Sequence, residues 1–280
     1  MNRIGLVGKG FVGEAFYEGM KDHYEIDVWD TDPAKATVPT LSHLVTRNNI
    51  IFVSVPTPMN LTTGECDISI LQSVMADIRS VTGGIHKTVV IRSTVPPGTT
   101  AQFFTPPFPI WPVFNPEFLT EANYINDFKN QNRIVLGGIS NATEAIAKIY
   151  ARVFPSVPMV QTDSTTAEFV KYFANCFLAT KVTFANEMSQ IADAAGVDYN
   201  TVAKIAALDP RIGSSHIVVP GPDGHRGFGG TCFPKDLNAL MAHAKKLGVS
   251  TPFLKAVWDK NLEVRPERDW EADKGRAVTL

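Results

Sequence analysis

Short apolar runs alternate with helical stretches along the first half of the chain. Most of these runs are continuous, which is typical of strands covered by helices on both faces. The predicted strands are Arg3 to Val7, Glu25 to Trp29, Ile50 to Val55, Thr88 to Arg92, Ile110 to Phe114, Arg133 to Leu136 and Met159 to Gln161. Helical spacing covers Gly13 to Lys21, Asp67 to Val81 and Ala142 to Val153. This alternation predicts an α/β fold, a Rossmann-type doubly wound parallel sheet over residues 1–163.

The pattern changes after Asp163, where apolar residues recur at helical spacing only. The stretch from Thr165 to Ala195 contains no Gly or Pro and predicts one long helix. Shorter helices are predicted over Tyr199 to Leu208, Asp236 to Leu247 and Pro252 to Val264, with a loop rich in Gly and Pro from Ile212 to Gly230. We therefore predict an all-helical second domain over residues 164–264 and a charged tail over residues 265–280 that lacks a clear apolar face.

Composition and charge narrow the range of partners. The 280 residues include 26 basic and 28 acidic side chains, a formal net charge of -2. This balance gives no electrostatic reason to expect nucleic acid or a membrane surface as a partner, and no apolar run is long enough to span a bilayer. The six histidines are scattered without the spacing of metal ligands, so we predict no metal.

The three cysteines, Cys66, Cys176 and Cys232, form a poor disulfide framework because their number is odd and their spacing sparse. The chain starts directly with a strand pattern and shows no signal-peptide layout. Both features favour a reducing cytoplasm, where at least one thiol remains available for chemistry.

A GxGxxG motif follows the first predicted strand and opens the first helix. In such a motif the first glycine makes a tight turn, the second lets the backbone approach a pyrophosphate, and the third allows close packing of helix and strand. The amides at the helix N-terminus then face the phosphates. The predicted cofactor-binding residues of this segment are Gly8, Gly10, Phe11, Val12 and Gly13.

Other residues extend this predicted cofactor site. Asp30 ends the next strand, where a carboxylate takes the ribose hydroxyls and repels a 2′-phosphate, which favours NAD over NADP. Val55, Pro56 and Thr57 close the third strand and therefore lie on the predicted cofactor crevice. The alternative is that the glycines serve only a turn and that Asp30 is a solvated residue at a strand end.

The segment from Gly227 to Asp236 carries the strongest chemical signal. Cys232 follows several glycines and precedes Lys235 and Asp236 at the start of a predicted helix. A helix N-terminus and a nearby cation both lower the pKa of a thiol and favour the thiolate. These residues alone leave two interpretations equal: a reactive thiol, or a glycine turn with a buried cysteine and a helix-capping aspartate.

Seven segments, in this order along the chain, resemble the UDP-glucose/GDP-mannose dehydrogenase family. They are Gly8 to Gly13, Val55 to Pro58, Ser93 to Pro96, Asn115 to Leu119, Ala167 to Asn175, Asp209 to Ile212 and Phe228 to Asp236. The resemblance covers nearly the whole chain up to about Val264. It implies an NAD-binding Rossmann domain followed by a central helical domain through which two chains dimerise.

The resemblance also implies a four-electron oxidation, in which the C6 alcohol of a nucleotide sugar becomes a carboxylate with the use of two NAD and one water. Cys232 would trap the intermediate aldehyde as a thiohemiacetal, and the next oxidation would give a thioester that water hydrolyses. Phe233 resembles the UDP-glucose branch of the family more than the GDP-mannose branch. Conversion of UDP-glucose to UDP-glucuronate is therefore the expected reaction.

Further roles carry over from the family by position. Lys171 and Asn175 resemble its oxyanion stabilisers, Asp236 and Thr94 its base and water-holding residues, and Glu117 its activator of the hydrolytic water. The cofactor-binding residues added by the resemblance are Lys35, Thr94 and Lys235. The implied substrate-binding residues are Glu117, Phe118, Leu119, Glu121, Lys171, Asn175, Arg211, Phe228 and Gly229. Arg211 resembles an arginine that reaches the active site of the neighbouring subunit, which implies a homodimer.

Three features depart from the family pattern. The family continues with another α/β domain that binds the nucleotide, whereas this chain stops at Leu280, so weaker substrate binding and turnover are expected. The proline-rich stretch 105–109 predicts a loop where the family has a helix. Thr120 and Ala122 stand where the family commonly has a larger residue or a glycine.

Several other functions stay open. A GDP-mannose 6-dehydrogenase or a UDP-N-acetylmannosamine dehydrogenase would share the same chemistry. A β-hydroxyacid dehydrogenase shares the domain plan and a helix lysine and asparagine, but it needs no cysteine. A non-catalytic binding remnant would account for the missing domain. For the transferred roles, the alternatives are solvated or helix-capping side chains at Lys171, Asn175, Glu117 and Glu121, and a surface arginine at Arg211.

Overall fold

A computed structural model describes residues 3–104 and 110–280 of the chain. Its strands are β1 (Arg3–Val7), β2 (Glu25–Trp29), β3 (Ile50–Val53), β4 (Met59–Asn60), β5 (Lys87–Ile91), β6 (Ile110–Phe114), β7 (Ile134–Gly138), β8 (Met159–Thr162) and β9 (Val278–Thr279). Its helices are α1 (Phe11–Met20), α2 (Leu41–Arg47), α3 (Ser69–Val81), α4 (Thr99–Gln102), α5 (Tyr124–Lys129), α6 (Ser140–Val153), α7 (Ser164–Ala194), α8 (Tyr199–Ala206), α9 (Phe233–Lys246) and α10 (Pro252–Val264).

The described chain divides into two compact units. The first contains Met1–Thr57 and Ile68–Lys171, and the second contains Pro58–Asp67 and Tyr172–Leu280. The division falls inside α7, whereas the sequence predicts a boundary at Asp163, just before this helix begins. The predicted loop at residues 105–109 lies outside the described residues.

A seven-stranded sheet with the order β2-β1-β3-β5-β6-β7-β8 forms the centre of the first unit. Every residue of β3 and β5 is buried, as expected for continuous apolar strands covered on both faces. The predicted Rossmann-type α/β fold is confirmed. The sheet differs from the predicted all-parallel arrangement in one pairing, because β7 runs antiparallel to β6. An apolar run carries no signal for strand direction, so the sequence pattern did not reveal this reversal.

Helices on the two sheet faces bury separate hydrophobic clusters. On one face, Phe16 of α1 packs on Phe52 of β3 with ring centroids 4.2 Å apart, and Phe128 of α5 and Tyr150 of α6 belong to the same cluster. On the other face, the cluster includes apolar residues of α2 and α3. Full burial of one such side chain contributes about 1.5–3 kcal/mol, so both faces stabilise the sheet substantially.

The second unit contains most of α7 together with α8, α9 and α10. Phe228 and Leu237 pack with Cys176 and Ala179 of α7 and with Val257 of α10. The predicted helices of this unit are present, and α9 begins three residues earlier than predicted because Pro234 fits the first helical turn. None of the helices within residues 3–104 and 110–280 has the length and apolar character that a membrane crossing requires.

The C-terminal tail is folded into the second unit. Strand β9 pairs in parallel with β4, and Trp270 is only 1% exposed in a cluster with Met59, Ala277 and Val278. The tail therefore has an apolar face that its sequence pattern did not indicate. Its few apolar residues are too widely spaced to produce a helical or strand period.

Candidate active site

The glycine loop after β1 has the geometry of a phosphate cradle. Gly8 adopts a left-handed conformation with φ 85°, and a Cβ there would lie 2.5 Å from the carbonyl oxygen of Ser54. A Cβ at Gly13 would lie 2.1 Å from the carbonyl oxygen of Gly8, so helix and loop are in closest contact there. At Gly10 a Cβ would meet nothing within 4 Å. The loop thus has open space at the start of α1, where uncapped amides can bind a pyrophosphate.

Asp30 lies beside this loop because β1 and β2 are paired in parallel, with Val7 opposite Trp29. One carboxylate oxygen of Asp30 accepts a hydrogen bond from the amide of Lys9 at 2.6 Å, and the other accepts from the amide of Asp32 at 2.9 Å. The acid is therefore held at the edge of the glycine loop. Together with the open space at Gly10, this arrangement fits the ribose and pyrophosphate of NAD.

The ends of β3 and β5 are joined by side-chain hydrogen bonds. The amide of Val55 donates to the Ser93 hydroxyl at 3.0 Å, and that hydroxyl donates to the Val55 carbonyl at 2.7 Å. The hydroxyl of Thr57 donates to the carbonyl oxygen of Thr94 at 2.7 Å. Two predicted site segments therefore meet at the carboxyl edge of the sheet. Pro56 is exposed there, and the more distant Lys35 is also exposed, with its ammonium 3.9 Å from Asp32.

Glu117 and Lys171 form a buried ion pair in the first unit. The ammonium of Lys171 donates to Glu117 Oε1 at 2.8 Å and to the Glu117 carbonyl oxygen at 2.6 Å. Their side chains are only 4% and 2% exposed, respectively. The second carboxylate oxygen of Glu117 accepts from the amide of Leu119 at 2.8 Å. The predicted catalytic residues Glu117 and Lys171 thus contact each other directly.

The charge of Glu117 is held by these contacts. Burial by itself raises the pKa of a carboxyl group, but the charge and hydrogen bond of Lys171 outweigh this effect. The Leu119 amide and the more distant charge of Arg92 act in the same direction, so the pKa of Glu117 lies below its ordinary value. Glu117 is therefore ionised near neutral pH.

Phe118 lies between two cations in the same segment. The ammonium of Lys171 is 5.7 Å from the centre of its ring, and the guanidinium carbon of Arg133 is 3.9 Å away. Such distances are typical of cation–π contacts. Leu119 is half-buried, and Glu121, the last predicted substrate residue of this segment, is exposed.

Cys232 begins α9 in the second unit. It is the N-cap residue of this helix, and its sulfur lies 3.8 Å from the Thr231 hydroxyl. The positive end of the helix dipole favours an anion at this position. Cys232 is half-buried. The predicted nucleophile therefore lies at a helix N-terminus, and its catalytic role stays a prediction.

Asp236 links two other predicted residues on the same unit. One of its carboxylate oxygens accepts a hydrogen bond from Asn175 Nδ2 at 2.5 Å, and the other accepts from the ammonium of Lys235 at 2.5 Å. Asp236 is only 1% exposed. This contact ties α7 to the first turn of α9, where Cys232 lies.

Lys235 keeps its charge although burial opposes it. Asp236 provides the largest compensating attraction, and the pKa of Lys235 lies above its ordinary value. The sulfurs of Cys66 and Cys232 contribute in the same direction. A permanent cation thus lies within electrostatic reach of the predicted nucleophile. Burial raises the pKa of the Cys176 thiol, and the charge of Asp236 adds to this effect, so Cys176 is a neutral core residue.

Three residues that the sequence analysis missed hold the glycines before Cys232. Asn261 of α10 accepts from the amide of Phe228 at 2.7 Å and donates to its carbonyl at 2.9 Å. Asp269 accepts from the amide of Gly230 at 2.9 Å and from the guanidinium of Arg265 at 2.7 Å. A Cβ at Gly229 would lie 2.3 Å from Asp269. Their signal in the sequence is weak, since polar residues near the end of a helix are usually solvated.

Arg211 is a highly exposed predicted site residue, with a side chain that is 88% exposed. Its guanidinium binds both carboxylate oxygens of Asp209, two residues earlier, at 2.6–3.1 Å. This contact orders the turn after α8. The described contacts of Arg211 therefore include no other predicted site residue.

Two family models match the chain over most of its length. Residues 36–154 match the NAD binding domain of the UDP-glucose/GDP-mannose dehydrogenase family, and residues 165–263 match its central domain. The Rossmann sheet and its glycine cradle fit the NAD binding domain that the first of these models describes. The chain belongs to the UDP-glucose/GDP-mannose dehydrogenase family.

Individual relatives support this assignment. The chain is 35% identical over 228 residues to the UDP-glucose 6-dehydrogenase TuaD of Bacillus subtilis, covering 79% of this chain and 48% of that protein. It is 36% identical over 252 residues to a UDP-glucose 6-dehydrogenase of Rickettsia conorii, covering 88% and 56%. A UDP-glucose dehydrogenase structure from Pyrobaculum islandicum superposes with a TM-score of 0.83 at 27% identity, covering 97% and 70%. The chain thus spans about half the length of the curated relatives it matches.

Proposed function

We propose that this chain catalyses the NAD-dependent oxidation of UDP-glucose to UDP-glucuronate through a covalent intermediate on Cys232. The observation that carries the proposal is the polar arrangement at the start of α9. There, the half-buried Cys232 caps the helix that also contains Lys235 and the buried Asp236. A glycine turn alone needs no buried carboxylate held by both a lysine and an asparagine. Chemistry at the thiol accounts for all of these residues.

The proposed reaction converts a primary alcohol and water into a carboxylate. NAD, when bound, accepts one hydride in each of the two oxidations. Between them, the sulfur of Cys232 forms a bond to the aldehyde carbon, and the carbonyl oxygen takes up a proton to give a thiohemiacetal. After the second oxidation, water attacks the thioester carbon and the carbon–sulfur bond breaks, which returns the thiolate. The chain's own residues must therefore stabilise an oxyanion and accept protons.

Lys171, Asn175 and Glu117 match these needs in our proposal. An ammonium fixed by two hydrogen bonds, such as that of Lys171, is already oriented for an oxyanion. The Asn175 amide, held by Asp236, supplies a second donor. The carboxylate of Glu117 accepts a proton from the hydrolytic water, and Thr94 and Asp236 help to position that water. Phe118, Leu119, Glu121, Phe228 and Gly229 contribute to substrate binding.

The stoichiometry of NADH tests this mechanism. With UDP-glucose, the protein should form two NADH for each sugar consumed. Cys232→Ser should not complete the second oxidation, because a hydroxyl cannot form the thioester. Cys66→Ser is the matched control, since Cys66 is also half-buried and should tolerate the change. One NADH per substrate, unaffected by Cys232→Ser, would contradict the proposal and favour a β-hydroxyacid dehydrogenase.

A substrate panel separates the remaining alternatives. NADH formation is measured with UDP-glucose, GDP-mannose and UDP-N-acetyl sugars at equal concentrations. The highest kcat/KM should belong to UDP-glucose, because the similar proteins of Bacillus subtilis and Rickettsia conorii are UDP-glucose 6-dehydrogenases. Measurable NAD binding without NADH from any sugar would favour a binding protein instead.

We also propose that two copies of the chain associate through α7. A row of apolar side chains along this helix is exposed at i, i+4 and i+7 spacing, namely Phe173, Phe177, Phe184, Met188 and Ile191. A contiguous apolar stripe of this kind is unusual on a monomer and self-complementary in a twofold dimer. Arg211, whose guanidinium is exposed, would contact the substrate of the partner chain.

We also propose that the protein works in the cytoplasm. This compartment is reducing, and none of the three cysteines forms a disulfide.

The dimer is tested by placing a charge in the stripe. Phe177→Glu should convert the dimer to a monomer in sedimentation velocity, because a dimer would bury the new carboxylate. Phe253→Glu on α10 is the matched control, since Phe253 is 64% exposed and Phe177 is 57% exposed. A monomer in the unmodified protein, or a dimer in Phe177→Glu, would contradict this part of the proposal.

A further inference from the structure

Arg92 is a buried cation that has no acidic partner among the described residues. It follows β5 and is only 3% exposed. Its Nη1 donates hydrogen bonds to the Tyr150 hydroxyl at 2.6 Å and to Asn115 Oδ1 at 3.2 Å. Both acceptors are neutral, and within residues 3–104 and 110–280 its Nε has no hydrogen-bond partner. A buried charge with incomplete hydrogen bonding is costly, so its presence calls for an explanation.

Aromatic rings surround the rest of this guanidinium. Its central carbon lies 5.2 Å from the ring centre of Phe16 and 5.3 Å from that of Phe128. An uncharged side chain of similar volume would fill the same space between the rings without the cost of desolvation. The charge of Arg92 is therefore not explained by packing.

The contacts of Arg92 lead to the segment that carries Glu117. The Asn115 side chain accepts hydrogen bonds from Arg92 and from the Tyr150 hydroxyl, the latter at 2.6 Å, and donates to the Val135 carbonyl at 2.9 Å. All of these groups are buried. Asn115 is thus fixed from three directions, and Glu117 follows it by two residues.

Several charged and titratable groups lie around Glu117. Lys171 on α7 contacts it directly, and Arg92 after β5 acts on it through space. The guanidinium of Arg133 stacks on the ring of Phe118, the residue that follows Glu117. Tyr150 on α6 is neutral, because burial raises the pKa of its hydroxyl. Among the described residues, Lys171 and Arg92 are the two charged groups that lower the pKa of Glu117, and both are cations.

We propose that Arg92 is a positioning residue for thioester hydrolysis, one that orders the Asn115–Leu119 segment and, as a second buried cation, keeps Glu117 in its carboxylate form. This inference rests on the proposed function for the step it assists. In that step a water oxygen bonds to the thioester carbon, its proton passes to Glu117, and the sulfur of Cys232 leaves as a thiolate. A protonated Glu117 could not accept that proton.

The first test measures the ionisation of Glu117 without any turnover. Its carboxyl signal is followed against pH by infrared difference spectroscopy, and Glu117→Gln identifies the band. In Arg92→Met the pH of half-protonation should rise by about one unit, the low end of the effect of a nearby charge. Arg92→Lys retains the cation and should leave it nearly unchanged. Tyr150→Phe removes a hydrogen-bond partner but no charge, and it should also have little effect.

A second neutral variant protects this test against a folding failure. Arg92→Gln removes the charge but can still donate to Asn115, and near-ultraviolet circular dichroism verifies its fold. An unchanged titration of Glu117 in a folded Arg92→Met or Arg92→Gln protein would overturn the proposal. A shift of equal size in Arg92→Lys would also overturn it, because the effect would then not depend on charge.

The kinetic test distinguishes this inference from the proposed function. If the unmodified protein forms NADH from UDP-glucose, Arg92→Gln should slow hydrolysis by up to about tenfold at pH values below the ordinary carboxyl pKa, the limit that a shift of about one unit allows, and mass spectrometry should detect sugar bound to Cys232. A higher pH should restore the rate of hydrolysis in Arg92→Gln. Arg92→Lys, which keeps the cation, should retain nearly the rate of the unmodified protein. Slow turnover without accumulated thioester would contradict the role in hydrolysis. If the unmodified protein forms no NADH, the proposed function fails, while the titration still decides whether Arg92 controls Glu117.

Discussion

The buried pair of Glu117 and Lys171 shows how much depends on single side chains in this protein. Each of the two charges is almost completely removed from water, and each is satisfied mainly by the other. Such a pair contributes little compared with apolar residues, but breaking it is costly because one charge remains uncompensated. The folded pKa of Glu117 is depressed, so its stabilising contribution is present above the ordinary carboxyl pKa and is lost as the pH falls through the folded value.

Lys171→Met should destabilise the protein by about 3–5 kcal/mol near neutral pH, because Glu117 is left buried without its partner. Burial then raises the pKa of Glu117 above its unfolded value, so the loss should become smaller as the pH falls toward that value. Urea unfolding at pH values near 5 and 7.5 measures this difference. The double variant Lys171→Met with Glu117→Gln should lose the pH dependence. An equal loss at both pH values would show that Glu117 is not the group left uncompensated.

At this scale, residue type and spacing predicted the glycine turn after β1 and a helix start near Cys232, whereas the catalytic role of Cys232 stays a prediction. Gly8 and Gly13 occupy positions where a Cβ has no room, and Cys232 begins a helix. Asn261 and Asp269 were missed, since they act on the glycine loop only after the chain has folded back on itself. Arg92 was missed for the same reason.

The short helix α4 shows how an element is held by a distant side chain. Glu168 of α7 is fully buried, and its carboxylate accepts from the amides of Gly98 at 2.5 Å and Thr100 at 2.7 Å. These amides belong to the first turn of α4, which has no side-chain cap of its own. Burial raises the pKa of Glu168, although the hydrogen bonds from Thr100 and Gly98 partly oppose this effect.

Glu168→Ala should lower the free energy of unfolding by about 1–3 kcal/mol, because the amides of Gly98 and Thr100 lose their acceptor. The pKa of Glu168 is raised in the folded protein. The stability difference between the unmodified protein and Glu168→Ala should therefore be largest below the ordinary pKa of Glu168, and it should shrink as the pH rises through the folded value. Thermal unfolding of both proteins across this pH range measures the trend. Amide exchange should accelerate at Gly98 and Thr100 while the amides of α3 remain protected. Unchanged exchange at those two amides would refute the capping role.

Elements with a long apolar period were predictable, and short ones were not. The 31-residue α7 was found almost to its ends, because it contains many turns of helical spacing and stops before a glycine. Helices α2, α4 and α5 have seven residues or fewer and contain too few apolar positions to define a period. The two-residue strands β4 and β9 form only because their partners are supplied by a distant part of the chain.

On the scale of the whole molecule, the tail completes the second unit. Trp270 packs on Trp258 of α10 with ring centroids 5.4 Å apart, and it is among the largest side chains that are fully buried. Removing so large a side chain from a filled core leaves a cavity that the surroundings cannot close completely. The tail therefore acts as part of the core of this unit.

Trp270→Ala should destabilise the second unit by about 3–5 kcal/mol. Two unfolding transitions should separate in calorimetry, because the first unit has its own core and should keep its melting temperature. Trp111→Ala is a useful control, since Trp111 packs in the first unit and should affect the other transition. If Trp270→Ala instead shows one transition at a lower melting temperature, the two units unfold together.

The pairing of β4 with β9 limits the order in which the two units can fold during synthesis. Asn60 and the C-terminal Leu280, which are joined by a hydrogen bond, are 220 residues apart in the chain. During synthesis the N-terminal domain emerges first and can bury its sheet early. Residues 58–67 emerge with it, but their strand partner β9 is synthesised about 220 residues later. Strand β4 therefore has to wait unpaired until β9 has been synthesised, and closure of the second unit should follow that event.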